Sequence, residues 1–123
     1  MMLIFLLAAV STLQSTESYT YYRGSCSVIE PDSSALQSGI PLEVCNTIAR
    51  ADSQLYVVYS KRMRVLATKR QKNSLRRDEI LWISAKRSRC GFGNSEIVLN
   101  SASADCLLRE TRKRIRFLAG LRK

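Results

Sequence analysis

Four times the chain repeats one short word, Lys-Arg, any residue, then a second cation: KRMR at 61–64, KRQK at 69–72, KRSR at 86–89 and KRIR at 113–116. A spacer between cations relieves their repulsion while several still follow one phosphate or sulfate array, which is the pattern of polyanion-binding and nuclear-import segments. Lys61, Arg62, Arg64, Lys69, Arg70 and Lys72 form the densest group. Lys86, Arg87 and Arg89 form a second group, and Arg112, Lys113, Arg114 and Arg116 a third. Tyr59 leads the first group, with Tyr56, Trp82, Phe92 and Phe117 interleaved among the rest. If exposed, such rings would stack on unpaired bases for about 1–3 kcal/mol each. A solvated face is the plainer reading of any one basic word, and a core position the plainer reading of Trp82. Four copies, with no acid anywhere in 60–77, favour an external anion.

Other chemistry is excluded by inventory. The chain has no histidine, which rules out a Ser-His-Asp triad, a histidine-metal centre and an imidazole pH switch. Its ten carboxylates show no spacing for a paired acid and base, and no glycine-rich phosphate loop is present. These gaps point to a non-enzymatic protein without a small-molecule substrate. Cys26, Cys45, Cys90 and Cys106 contain no CxxC pair. In an exported chain they would form two disulfides in any of three pairings; in a reducing cytosol they would be free thiols, core residues or metal ligands.

The elements that must carry these groups follow from charge and periodicity. At 123 residues with 46% hydrophobic content, the chain has room for one folded domain with a modest core. Its net charge of +10 is segregated: residues 1–59 carry −3 and residues 60–89 carry +9. We therefore expect an apolar N-terminal segment and linker over 1–33 and a basic domain over 34–123. Leu42, Cys45, Ile48 and Ala49 line one face of a helix over 41–52. QLYVVYS, at 54–60, is strand-like, although Ser60 could equally cap a helix over 61–70. EILWISA and SEIVLNS predict an antiparallel hairpin, about 79–85 and 95–100, with Cys90 near its tip and Lys86, Arg87 and Arg89 beside it. A last helix over 104–119, capped by Ser103 and stopped at Gly120, has Leu108, Thr111, Ile115 and Leu118 as its less polar face. The expected fold is a small α+β domain of short helices and one hairpin.

MMLIFLLAAV followed by STLQSTES has the apolar core and small residues of a signal peptide, but no cation precedes it. Ten apolar residues fall short of the roughly 20 that cross a bilayer. Cleavage and retention as a packed helix both fit.

IPLEV with IARA after it, then YSKRMRV, RCGFG, ADC and RIRFLAG, spread over about residues 40–120, resemble the small basic nucleic-acid-binding proteins of filamentous plant viruses, the carlavirus, vitivirus and trichovirus group. The resemblance implies a protein of the host-cell cytoplasm and nucleus that binds single- or double-stranded RNA and suppresses RNA silencing, with host silencing or nuclear-import factors as further partners. It would place Tyr59, Lys61, Arg62 and Arg64 in the RNA-binding run, and Cys90 and Cys106 in a zinc finger. That finger is incomplete, because Arg87 stands where the CxxC pair ending at Cys90 needs its first cysteine and no histidine exists.

Two functions thus share the same cations. One is RNA binding through phosphates with little base specificity. The alternative is a secreted, disulfide-bonded protein that binds sulfated glycans or a receptor, with residues 1–18 removed. Intact mass with and without a thiol-alkylating reagent separates them: a shortened chain that takes up no reagent marks the secreted form, and an intact Met1 with four alkylated thiols marks the intracellular one.

Overall fold

A computed structural model describes residues 17–29, 39–92 and 100–121. Two short strands, β1 (Tyr19–Tyr22) and β2 (Ser25–Val28), precede three helices, α1 (Leu42–Val65), α2 (Lys69–Cys90) and α3 (Ser101–Gly120). The small α+β class expected from the sequence holds. The positions of its elements differ.

The hairpin lies at 19–28, inside the segment expected to precede the basic domain. Its strands pair antiparallel with Tyr19 opposite Val28 and Tyr22 opposite Ser25, leaving Arg23 and Gly24 as a two-residue turn. Both have positive φ, 48° and 86°, the geometry that matches the right-handed twist of a tight hairpin. Ile40 joins the edge through a bridge to Tyr19, with N···O distances of 2.8 and 2.9 Å. A side chain at Gly39 would collide with Cβ of Ser18, so only glycine lets the chain enter there.

Residues 54–60 are helical, and α1 runs unbroken from Leu42 to Val65. Its buried positions, Cys45, Ile48, Ala51 and Leu55, recur at helical spacing, and that stripe outweighs the local β preference of Val57 and Val58. Ser60 caps nothing. The next helix starts after Thr68, whose Oγ1 accepts from Gln71 N at 3.1 Å while Gln71 Oε1 accepts from Thr68 N at 3.1 Å, a reciprocal capping box.

Residues 79–85 are also helical, which removes the hairpin expected at 79–85 and 95–100; its second strand lies outside the described residues apart from Asn100. The residues buried in α2 are Glu79, Lys86 and Cys90, so its inward face is mostly charged and gives hydropathy little periodicity to detect. Gly91, at φ 81°, ends α2: its N–H bonds Ser88 O at 3.3 Å and that of Phe92 bonds Arg87 O at 2.9 Å. The expected loop at 86–94 is therefore helix up to Cys90. Asn100, not Ser103, caps α3, its Oδ1 accepting from Ser103 N at 2.9 Å.

The core gathers Tyr21, Ile40, Cys45, Ile48, Ala104 and Leu107, so β1, α1 and α3 close around one another. Two disulfides reinforce that closure. Cys26–Cys45 ties the hairpin to α1 and Cys90–Cys106 ties the end of α2 to the start of α3, across 19 and 16 residues of sequence. Each cross-link of such a loop stabilises by roughly 3 kcal/mol in the chain-entropy view. The oxidised pair Cys90–Cys106 replaces the two zinc thiolates that the resemblance implied. Among the described residues no cluster of three His, Cys, Asp or Glu stands ready for a metal.

Of the face expected for α3, Thr111 and Leu118 are buried, while Leu108 and Ile115 are half-buried. Thr111 Oγ1 is buried without a hydrogen-bond partner among the described residues. Desolvating a hydroxyl without a bond costs free energy that an isosteric methyl does not. Thr111→Val should therefore raise the unfolding free energy by about 1 kcal/mol in urea denaturation, with an unchanged m-value.

Candidate interaction site between the first two helices

Beyond Leu55 no residue of α1 is buried, and before Glu79 no residue of α2 is. The two helices leave the turn at Leu66–Thr68, hardly touch, and enclose a cleft of ≈ 660 Å³ open to solvent. Both walls use one spacing. Asp52, Leu55, Tyr56 and Tyr59 line it from α1, and Glu79, Trp82, Ile83 and Lys86 from α2, each set at i, i+3, i+4 and i+7 on one helical face. Tyr21 and Arg23 close the end nearest the hairpin. The Tyr21 hydroxyl donates to Asp52 Oδ2, fixing the hairpin against α1 at the base of the cleft.

Trp82 is the central ring of the α2 wall. Lys86 Nζ lies 4.8 Å from its centroid and the Arg114 guanidinium 5.6 Å, so the indole is flanked by cations. Arg114 also lies 5.0 Å from the Phe117 ring. Its guanidinium bridges two carboxylates, Nε to Glu79 Oε1 at 2.8 Å and an Nη to Asp78 Oδ2 at 2.8 Å. The side chains of Arg114 and Glu79 are 8% and 12% exposed, so each charge is desolvated and depends on the other. Nearer the disulfide, Arg89 places Nε and an Nη 3.0 and 2.8 Å from Glu110 Oε1, with Lys113 Nζ 3.9 Å from Oε2. Ion pairs and a disulfide thus set the angle at which α2 leaves α3, and with it the width of the cleft.

The cations expected to bind phosphate fall into distinct environments. Lys61, Arg64, Lys69 and Arg70 are exposed around the α1–α2 turn, with Arg62 and Lys72 half-buried beside them. Arg112, Lys113 and Arg116 are exposed on α3, away from that turn in the chain. Lys86 is buried against Trp82, and Arg89 and Arg114 are engaged by carboxylates. Tyr59, Lys86 and Arg87 meet in the cleft. Tyr21, Asp52, Leu55, Glu79 and Ile83 also line it, though none was among the residues expected in a site. The repeated spacing on α1 and α2 is the signal that could have found eight of the lining residues, had 54–60 and 79–85 been read as helix.

The cleft holds aromatic rings, aliphatic side chains and a rim of charge, without a histidine and with its carboxylates already in hydrogen bonds or ion pairs. A small, disulfide-linked three-helix protein with an open cleft is therefore the class that fold and site define. The family model of the lysozyme inhibitor LprI matches residues 37–118, about two-thirds of the chain, and the chain belongs to that family. No curated protein and no solved structure matches it.

Membership overturns the likeness to plant-virus nucleic-acid-binding proteins, and with it the RNA partner, the silencing-suppressor role and the host import factors. The words that carried the likeness have other causes here. RCGFG and ADC hold the two halves of a disulfide, and YSKRMRV is the last part of a long helix. Two disulfides are the chemistry of an exported chain, so the cytoplasmic and nuclear location gives way to the secreted alternative.

Removing one member of a buried ion pair leaves the other charge desolvated, a loss of about 3–5 kcal/mol. Arg114→Ala should destabilise by that amount in chemical denaturation, and adding Glu79→Gln should recover part of the loss, because the orphaned charge disappears.

Proposed function

We propose that this protein works outside the cytoplasm, in the periplasm or the surrounding medium, as a non-enzymatic inhibitor that binds a lysozyme and blocks its substrate cleft. The observation that carries this reading is the family match, whose residues 37–118 include the whole of α1 and α2 and nearly all of α3. Both walls of the cleft and every exposed cation around the α1–α2 turn lie inside that span.

A protein inhibitor must offer a surface whose shape is set before the encounter, since ordering it during binding reduces affinity. Here α2 is held to α3 by Cys90–Cys106, by Arg114 with Glu79 and Asp78, and by Arg89 with Glu110. The partner's chemistry suits the charge of this chain. Glycoside hydrolases cleave between two carboxyl groups, so the centre to be blocked is lined with acid, and Lys and Arg side chains are the natural counterparts.

Purified, oxidised protein added to a lysozyme in a cell-wall turbidity assay should lower the rate of lysis in a saturable, dose-dependent manner. Protein reduced and alkylated beforehand should lose most of that effect. Undiminished lysis at a large molar excess of oxidised protein, across lysozymes of differing charge, would overturn the reading.

A further inference from the structure

From Tyr56 to Asp78, the arm of α1 and α2 that runs out to their turn and back, none of the 23 residues is fully buried. Eight of them are cations, Lys61, Arg62, Arg64, Lys69, Arg70, Lys72, Arg76 and Arg77, and no acid occurs between Asp52 and Asp78. Where α2 meets α3 the charges are paired: Asp78 and Glu79 of α2 receive Arg114 of α3, and Glu110 of α3 receives Arg89 of α2. No ion pair involves the eight cations of the arm among the described residues; Arg76 bonds only the neutral Asn73, at 2.7 Å. Among the described residues, charge is thus paired where α2 meets α3 and unpaired along the arm.

Apolar surface accompanies that charge. Tyr56 is 71% exposed and Val57 55%, and both line the cleft where the arm begins. A soluble polyanion needs only the cations, and an anionic membrane needs an apolar stripe on one helix. An apolar cleft lined by Leu55, Trp82 and Ile83, with exposed Tyr56 and Val57 at its edge and Lys and Arg beyond, is instead the anatomy of a protein interface.

We propose that the α1–α2 fork is the lysozyme-binding surface and that it selects a lysozyme whose cleft rim is acidic. This rests on the inhibitor reading above. The apolar centre seats on the partner's surface, and the arm lays its cations along the partner's carboxylates. Charge of this density steers association by about 10–10³-fold in rate and opposes a basic partner to a similar degree. A protein carrying +10 overall is therefore a poor inhibitor of a strongly basic lysozyme and a good one of an acidic lysozyme.

The test compares inhibition of an acidic and a basic lysozyme by the full chain and by two variants of equal charge change. One is Lys61→Glu with Arg64→Glu and Arg70→Glu on the arm, and the other is Arg109→Glu with Arg112→Glu and Arg116→Glu on α3. All six positions are exposed, and a helical spectrum with a single unfolding transition confirms the fold of each variant. The expected result is inhibition of the acidic lysozyme at least tenfold stronger than of the basic one, with the gap narrowing in salt. The arm variant should lose at least a hundredfold in inhibition, and the α3 variant less than about fivefold. Tyr56→Ala should speed dissociation at an unchanged association rate. Equal losses in the two triple variants, or equal inhibition of both lysozymes, would overturn the fork assignment and leave the inhibitor reading standing. Failure of the unaltered chain to inhibit either enzyme would remove both. Loss of binding to anionic vesicles or polyphosphate in the arm variant, with lysozyme inhibition unchanged, would assign the arm to a polyanion instead and overturn the proposal.

Discussion

The contact between Arg114 and the Asp78–Glu79 pair governs the shape of the molecule. α2 brings little apolar surface to the interior, so hydrophobic burial alone cannot set its direction. It is held where it meets α3 by a desolvated guanidinium between two carboxylates, by Arg89 on Glu110, and by one disulfide. Each of these is directional, whereas a greasy interface would let the helix slide or roll. α2 can therefore stand away from α1, and the cleft is what remains between them.

Charge is divided accordingly. Acids and bases meet at the α2–α3 contact, and bases alone continue out along the arm. Solvent screens the exposed cations, so the arm is tolerable in an isolated molecule, while their summed field extends about a Debye length, roughly 8 Å at physiological salt. Aromatic and aliphatic side chains sit recessed between the helices at the base of that field. Charge that acts at long range and apolar groups that act at contact thus lie on adjoining surfaces.

The hairpin stands apart in one respect. The match to the lysozyme inhibitor LprI family begins at residue 37, after β2, so Cys26 and the strands lie outside it while Cys45, Cys90 and Cys106 lie within. In this chain the hairpin closes one end of the cleft through Tyr21 and Arg23 and is secured to α1 by Cys26–Cys45. The apparent likeness to viral RNA-binding proteins was assembled from words within 40–120 that basic helices and cystine-bearing helix ends readily produce. Repeated Lys-Arg words report a local cation density, and that density says nothing about whether the anion is a phosphate backbone or the rim of an enzyme.

Much of the charge distribution and the small α+β class could be read from the sequence, as could the helix over 41–52 and most of α3. Charge is counted residue by residue, and a single apolar stripe at helical spacing needs no partner to be seen. The capping box of TKRQ at 68–71 was also legible and would have marked the start of α2. The helical state of 54–60 and 79–85 was not, because Val, Ile, Tyr and Trp are also the residues of strands, and their conformation depends on what they pack against. Nor was the division of the Lys-Arg words into paired and unpaired cations, since Arg114 meets Glu79 across 35 residues of sequence. Composition determined how much positive charge the chain carries; only tertiary structure decided which of it was free to act, because an ion pair is a statement about distance in space.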